Sequence, residues 1–557
     1  MKNRFFSIIL VLFLALTLSC SFFYGCGSGS QTTDDGTGSV TGGGDAGGGD
    51  AGEGDAGGGS GDTIAPTVTA TNPVNDATDI SNDQAVTNLT ITFSENVNGI
   101  NATTFTVADR NGTLLAGTVT YAANTANFAP TSRLALNRQY TARVSSAITD
   151  DAGNALGADY TWSFTTRTGS WVGSAERDHD SGNAQSPQVA IDNSANASLI
   201  WTENTLGNDH VFASQFNVVD DSVNHAADWL DFFAANHTVP QIVASNTGNV
   251  LAVWRRGLDN IFAEVLEGVW EGNPATNIEA TAGNTTTPQI ASSGNDGIGV
   301  WVRGGRIWAN FYDASGSGWT AGNATAIDVG VVLDSSSPQV GMDSAGNSIV
   351  VWVEDGHVYQ NILSNNIGTW TTAHALNNII SNPALLAAAS SPQIAVNDDG
   401  YAFVVWVQDG DLYYNSYING VWTGFTQISD SGTNDLPQVA MNNNGQAIVV
   451  FEQGLRVRAQ VFNPAVAATN IDDGSVPPAQ NPQIAIDAAG NAIAVWVMDS
   501  RIWQGRFNVN NNSWSAASTI DNAGDGLSAS PQVAMDTNGN AIVVWIQNNN
   551  VYSNILR

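Results

Sequence analysis

Along residues 63–167 apolar and polar side chains alternate in short runs. They are Thr67-Val68-Thr69-Ala70, Leu89-Thr90-Ile91-Thr92-Phe93, Phe105-Thr106-Val107, Gly117 to Tyr121, Tyr140 to Val144 and Tyr160 to Phe164. A period of two places alternate side chains on one buried face, so each run predicts a half-buried strand. Asn111-Gly112 and Asp151-Ala152-Gly153-Asn154 lie between runs and supply turns. Six or seven short strands over about 100 residues predict an antiparallel sandwich.

From residue 168 the pattern changes to continuous apolar runs such as Ile542-Val543-Val544, which imply sheets covered on both faces. The new pattern repeats. Pro-Gln followed by Val or Ile begins at 187, 240, 288, 338, 392, 437, 482 and 531. Fourteen residues after each Pro stands an aromatic side chain: Trp201, Trp254, Trp352, Trp406, Phe451, Trp496 and Trp545, with Trp301 at thirteen. Five residues after each Pro comes a turn initiator: Asp192, Ser245, Ser293, Asp343, Asn397, Asn442, Asp487 or Asp536. A third run follows, then a fourth segment that usually has its own Trp (Trp171, Trp270, Trp319, Trp370, Trp422, Trp514). Trp229 fills that role for another unit, and around Ala465–Ile471 the Trp is missing.

Four strands per unit of about 49 residues predict propeller blades, and eight units predict eight blades over 168–557. The region opens with a lone fourth-type segment at Trp171 and reaches Arg557 just after a third strand. The surplus strand at one end therefore fits the vacancy at the other. A β-solenoid is the alternative, and it would leave edges that need polar caps. The fold class is all-β, a sandwich followed by a propeller.

The residues of 63–167 also resemble the bacterial Ig-like domain of S-layer and surface proteins, the SbsA type. The matching stretches are Ala65-Pro66-Thr67-Val68 with Asn72-Pro73, Phe93-Ser94-Glu95, Asp150-Asp151-Ala152-Gly153-Asn154 and Trp162-Ser163-Phe164-Thr165-Thr166. The resemblance implies a spacer or binding module. The Asp150/Asp151/Asn154 turn offers oxygens for calcium, but calcium wants about 6–8 of them, and a hairpin capped by its own side chains is preferred. The repeats loosely resemble sialidase-type propellers. The Asp-box of that family fails here, because Asp343 precedes Trp352 by nine residues rather than five.

Composition and the N-terminus change the picture in two ways. The 51 acidic against 17 basic residues give a formal charge of −34, which excludes general electrostatic gripping of nucleic acid. Lys2 is the only lysine, so neither a Schiff-base nor a P-loop lysine exists beyond it. Met1 to Arg4 is basic, and the uncharged run from Phe5 to Leu18 reads as an export signal. The two cysteines, Cys20 and Cys26, follow small residues, as in bacterial lipoprotein signals. Cys26 runs into Gly-Ser-Gly-Ser and is the preferred lipid attachment, with Cys20 the alternative. Simple cleavage, or an anchor over Phe5 to Tyr24, stays open. Residues 27–62, rich in Gly and Asp, predict a disordered tether after the signal at 1–26.

The repeated aromatics Trp171, Trp201, Trp254, Trp301, Trp352, Trp406, Phe451, Trp496 and Trp545 are expected to be structural, each burying enough surface for about 1.5–3 kcal/mol. The eight glutamines, Gln188, Gln241, Gln289, Gln339, Gln393, Gln438, Gln483 and Gln532, sit beside Pro at a strand start. They should either satisfy backbone groups of the adjacent blade or ring the channel and face a polar ligand. No Gly-x-Ser-x-Gly elbow or His-x-x-x-His pair appears, so no catalytic or metal residue is assigned, and no cofactor beyond calcium at Asp150 and Asp151 is considered. The expectation is a monomeric, non-catalytic, lipid-anchored or secreted surface protein that presents its propeller to glycan or protein. A sialidase-like carbohydrate-active enzyme and a passive envelope component are the alternatives.

Overall fold

The computed structural model describes residues 62–557 apart from 84–86, 179–181, 206, 232–235, 246–247, 267–274, 280–282, 316–317, 320–323, 329–333, 365–369, 371–378, 386, 430–432, 475–477 and 523–525. The signal, Cys20, Cys26, the tether up to residue 61 and Trp270 lie outside the described residues. Among those described, every regular element is a strand.

Two four-stranded sheets form the sandwich. One runs Val68–Asn72, Leu89–Phe93, Thr125–Pro130, Gly117–Ala122, and the other Ala77–Ile80, Tyr160–Thr166, Gln139–Val144, Phe105–Asp109. The alternation works as expected: Leu89, Ile91, Phe93, Phe105, Val107, Tyr140, Trp162 and Phe164 meet in one core, with intervening Thr and Ser side chains facing outward.

The rest of the chain makes eight further sheets among the described residues. Their innermost strands are Asn183–Ile191, His237–Ala244, Thr285–Ser293, Ser336–Met342, Ala389–Val396, Asn434–Met441, Gln480–Ile486 and Ser528–Met535. Each pairs antiparallel with a second strand, and that strand with a third. Successive innermost strands touch in chain order, and the eighth touches the first. The sheets therefore close into a ring, which an open solenoid cannot do. The closing piece is the expected one. Ala175–Glu176 forms the outer strand of the eighth sheet, pairing with Asn550–Leu556, and Trp171 bridges Leu556.

Apolar side chains fill each seam. At the first, Ile200, Val211 and Ala213 of one sheet meet Val250, Ala252 and Trp254 of the next. Side chains also bind sheet to sheet. Asn310, Asn361, Asn415 and Asn554, at one register position of the third strand, donate their Nδ2 to the carbonyls of Ile278, Ile327, Ile380 and Ile520 in the preceding outer segment, at 2.8–3.1 Å.

The Pro-Gln pair does not start its strand, contrary to expectation. The inner strand begins two to four residues earlier, and its register shifts just before each Gln, as between Gln185 and Gln188. The residue before each Pro has positive φ, from 45° at Leu436 to 53° at Asn481 and Ser530. Every inner strand thus carries a bulge, which bends it at the level of Pro.

Candidate functional site

The innermost strands form the wall of the ring, since each has a second strand on one side only. Two of their side chains carry titratable groups, His237 and Asp435, in a chain of formal charge −34. The rest is Ser, Thr, Asn, Gln and small apolar residues. Each of the eight glutamines pairs with a second-strand Val or Ile that faces the next sheet. Gln188 lies opposite Ile200, Gln438 opposite Val450 and Gln532 opposite Val544. All eight are half-buried at one register level, about 13 Å along the strand from the turn. The structure corrects one expectation here. None of these amides makes a side-chain hydrogen bond with the described residues, so they do not satisfy the neighbouring backbone.

The second-strand indoles are fully buried, as is Phe451. Where Glu or Gln stands two residues further on, it accepts the indole N–H: Glu203 from Trp201 at 3.1 Å, Glu354 from Trp352 at 2.9 Å, Gln408 from Trp406 at 3.4 Å, Gln547 from Trp545 at 3.1 Å. In the second and third sheets that position holds Arg256 and Arg303, and the acceptor comes from the preceding outer segment. Asp231 takes Trp254 Nε1 at 3.1 Å and Glu279 takes Trp301 Nε1 at 2.5 Å, each also binding its arginine. In the seventh sheet Met498 stands at that position, and Trp496 Nε1 has no hydrogen-bond partner among the described residues. Third-strand aromatics stack on the indoles, as Phe212 on Trp201 at 5.9 Å and Tyr552 on Trp545 at 6.3 Å. Trp171 is half-buried at the closure.

His237 and Asp231 approach to 2.9 Å, but both side chains are completely sealed, and His237 Nδ1 lies 2.6 Å from the Asp209 carbonyl. With no path to solvent this pair holds structure together. In the Ig-like domain, Asn154 caps Asp150 through its backbone N–H and Nδ2, both at 2.8 Å, and these bonds hold the Asp150 carboxyl below its usual range. Asp151 instead accepts from Asn96 and Asn98. The carboxylates that converge, within 4.8 Å, are those of Asp62, Glu95 and Asp150.

A second set of acids fastens the third strands. Asp328, Asp472 and Asp521 accept from the backbone N–H groups of Ile307, Val457 and Ile502, and each pairs with an arginine at the strand start, Arg306, Arg456 or Arg501. At the closure Asp178 accepts from Val551 N at 2.8 Å, but the arginine position holds Asn550. Burial, with Glu203 and Glu176 nearby, pushes Asp178 up to about 7. Burial and Asp231 push Glu264 up to about 8, and burial pushes Asp536 up to about 6. A carboxyl raised in the folded state confers stability that is complete below its unfolded value near 4 and is lost as pH rises through its folded value. The opposite shifts of Asp150, Asp159 and Asp220 act below pH 4. Melting temperature should therefore fall from pH 5 to pH 8. Asn550→Arg should give Asp178 its counter-ion and restore about 1–3 kcal/mol at pH 8, with little effect at pH 4. A thermal melt of both proteins across this range checks it, and parallel profiles would refute the assignment.

The sequence did not point to a cavity of about 310 Å³ where the Ig-like domain meets the seventh and eighth sheets. Leu136, Asn137, Arg506, Phe507, Trp514 and Leu556 are among its lining residues. Leu136 N donates to Asn538 O at 2.7 Å, Asn137 Nδ2 to Asn491 Oδ1 at 2.8 Å and Arg138 Nη2 to Thr537 O at 3.2 Å, which fixes the domain there. A wider cavity of about 570 Å³ adjoins it across Ser513, Trp514 and Ser515. It opens where the sixth unit has Val466 instead of an outer Trp, so the missing indole was its one visible trace.

Fold and surfaces together define an Ig-like sandwich docked on a propeller-type ring of sheets. Residues 62–166 match the family model of the bacterial Ig-like domain. Among solved structures, the Dos1 propeller is similar at 8% identity with a TM-score of 0.44, covering 69% of this chain and 93% of its own. A protein of unknown function from Dyadobacter fermentans is similar at 8% identity and TM-score 0.36, covering 70% and 98%. The polysaccharide lyase Uly1 is similar at 9% identity and TM-score 0.39, covering 66% and 89%. Likeness at this level carries no inference about activity. Among curated proteins, none matches the chain.

Proposed function

We propose that this chain is an exported, non-catalytic binding protein of the bacterial envelope, anchored by lipid on Cys26 or Cys20, whose ring offers an amide-lined channel to an uncharged glycan. The wall of eight half-buried glutamines, whose amides make no side-chain hydrogen bond with the described residues, carries this reading. Amides that fold into a wall yet make no bond there are held ready for hydroxyls or carbonyls brought by a ligand, because a carboxamide both donates and accepts. The near-absence of charge on that wall suits a neutral ligand. The Ig-like domain contributes a rigid mount.

A glycan array probed with the full-length chain tests the reading. Neutral glycans should bind, and replacing Gln438, Gln483 and Gln532 together with Ala should weaken them at least tenfold with the melting temperature held. Silence on the array, or turnover of fluorogenic glycosides above buffer rate, would overturn it. Palmitate labelling that survives in the Cys20→Ala/Cys26→Ala double variant would overturn the anchor.

A further inference from the structure

The cavity between the Ig-like domain and the seventh and eighth sheets has an imbalance that the channel lacks. Arg506 points its guanidinium there. One nitrogen, Nη1, donates to the carbonyls of Thr168 and Gly169 at 3.3 and 3.2 Å. Its Nε and Nη2 make no bond with the described residues, and no carboxylate pairs with it. Burial pushes this guanidinium below its ordinary value.

The neighbours are also short of acceptors. Asn508 Oδ1 caps Asn510 N and Asn511 Oδ1 caps Ser513, leaving both Nδ2 groups unused. Trp514 Nε1 has no partner among the described residues, and unlike Trp319 and Trp422, its equivalents in other sheets, its N–H is not sealed away. The acceptors of the cavity are spent. Asp487, 1% exposed, takes N–H groups from Gly490 and Asn491 together with the Asn491 side chain. Asn491 Oδ1 takes Asn137 and Val509 N, and Ser515 Oγ takes Arg506 N. The Thr168 and Ser513 hydroxyls apart, the side-chain groups left without a partner among the described residues are donors.

We infer that this cavity binds a carboxylate-bearing sugar residue, its acid group held side-on by Nε and Nη2 of Arg506. A planar carboxylate matches two parallel N–H groups of a guanidinium, and a partly enclosed setting strengthens such a pair. The apolar lining of Phe507, Trp514, Met535 and Leu556 suits the carbon face of a pyranose, and the free amides suit its hydroxyls. The wider cavity across Trp514 gives room for further units of a chain. This site uses none of the channel glutamines, so it stands or falls apart from the proposed function.

Calorimetry on the full-length chain separates the outcomes, with trigalacturonic acid, its neutral methyl ester and a sulfated galactotriose as probes. The acid should bind at least tenfold more tightly than the ester. Arg506→Lys keeps a charge and a donor for the linker carbonyls but loses the paired edge. It should weaken the acid at least tenfold and leave the ester unchanged. Should Arg506→Lys fail to fold, Asn511→Asp keeps the turn cap, replaces a donor with an acceptor, and should also weaken the acid alone. Equal binding of acid and ester, tighter binding of the sulfated probe, or loss of acid binding in the glutamine variant with Arg506→Lys unaffected would each overturn the inference.

Discussion

Methionine in place of Arg303, with Glu279 untouched, should lower stability by about 3–5 kcal/mol, the usual cost of stripping one partner from a buried ion pair. The Glu279 side chain is completely enclosed, and among the described residues Arg303 is its only charge partner, at 2.8 Å. Burial already raises Glu279, and Arg303 and the Trp301 N–H counteract that rise. Without Arg303 the acid must either stay charged in the seam or take up a proton. The deficit should therefore grow with pH. Arg303 also lies over the Trp308 ring at 3.3 Å, so some packing goes with it. The double variant Glu279→Gln/Arg303→Met, which keeps an acceptor for Trp301, should recover more than half the loss. Urea unfolding at pH 5 and pH 8 measures both, and a single variant within 1 kcal/mol of the parent would show that the pair carries no weight.

A disulfide between Glu176→Cys and Tyr552→Cys is the second large effect. These residues are directly paired where the N-terminal strand completes the eighth sheet. They stand 376 positions apart, from 552 − 176. Closing a loop of that length is worth about 5–6 kcal/mol on the chain-entropy account, and engineered bridges commonly deliver less. In a background with Cys20 and Cys26 changed to Ser, no other thiol competes. The oxidised protein should exceed its reduced form by at least about 2 kcal/mol. Comparing redox states of one protein cancels the lost stacking of Tyr552 on Trp545. Failure of the bridge to form, or equal melting of the two states, would mean that the ends are not paired as described.

Much of the architecture was legible because the chain contains eight versions of one experiment. Repetition separated the indoles that must be buried from those that vary, and the odd strand count at the two ends announced the closure. The sandwich was less complete. Thr125–Pro130 alternates, but its inward residues Ala126, Phe128 and Pro130 are a poor strand signature, and Ala77–Ile80 is a half-exposed edge of four residues. The bulge before each Pro was hidden, because Ser, Val, Thr, Leu and Asn all occupy it and none announces positive φ. Position told where the glutamines stand but not that their amides lack partners. Asp231 and Glu279 lie more than twenty residues before the indoles they serve, so the exchange of Glu or Gln for Arg made sense only once sheets were stacked. The Arg506 cavity needs two domains in contact, and no local pattern encodes that.

The segment that seals the ring is also the one that leads directly out of the Ig-like domain. Tension applied from the N-terminal side would arrive first at Trp171 and Ala175–Glu176, the stitch whose release lets the whole circle unravel. The bonds from Leu136, Asn137 and Arg138 to the turns at Asn491 and Thr537-Asn538 take that pull beforehand and pass it to sheets already fastened on both sides. Load entering through the docked sandwich is thus shared out before it can peel the closing strand from its neighbour.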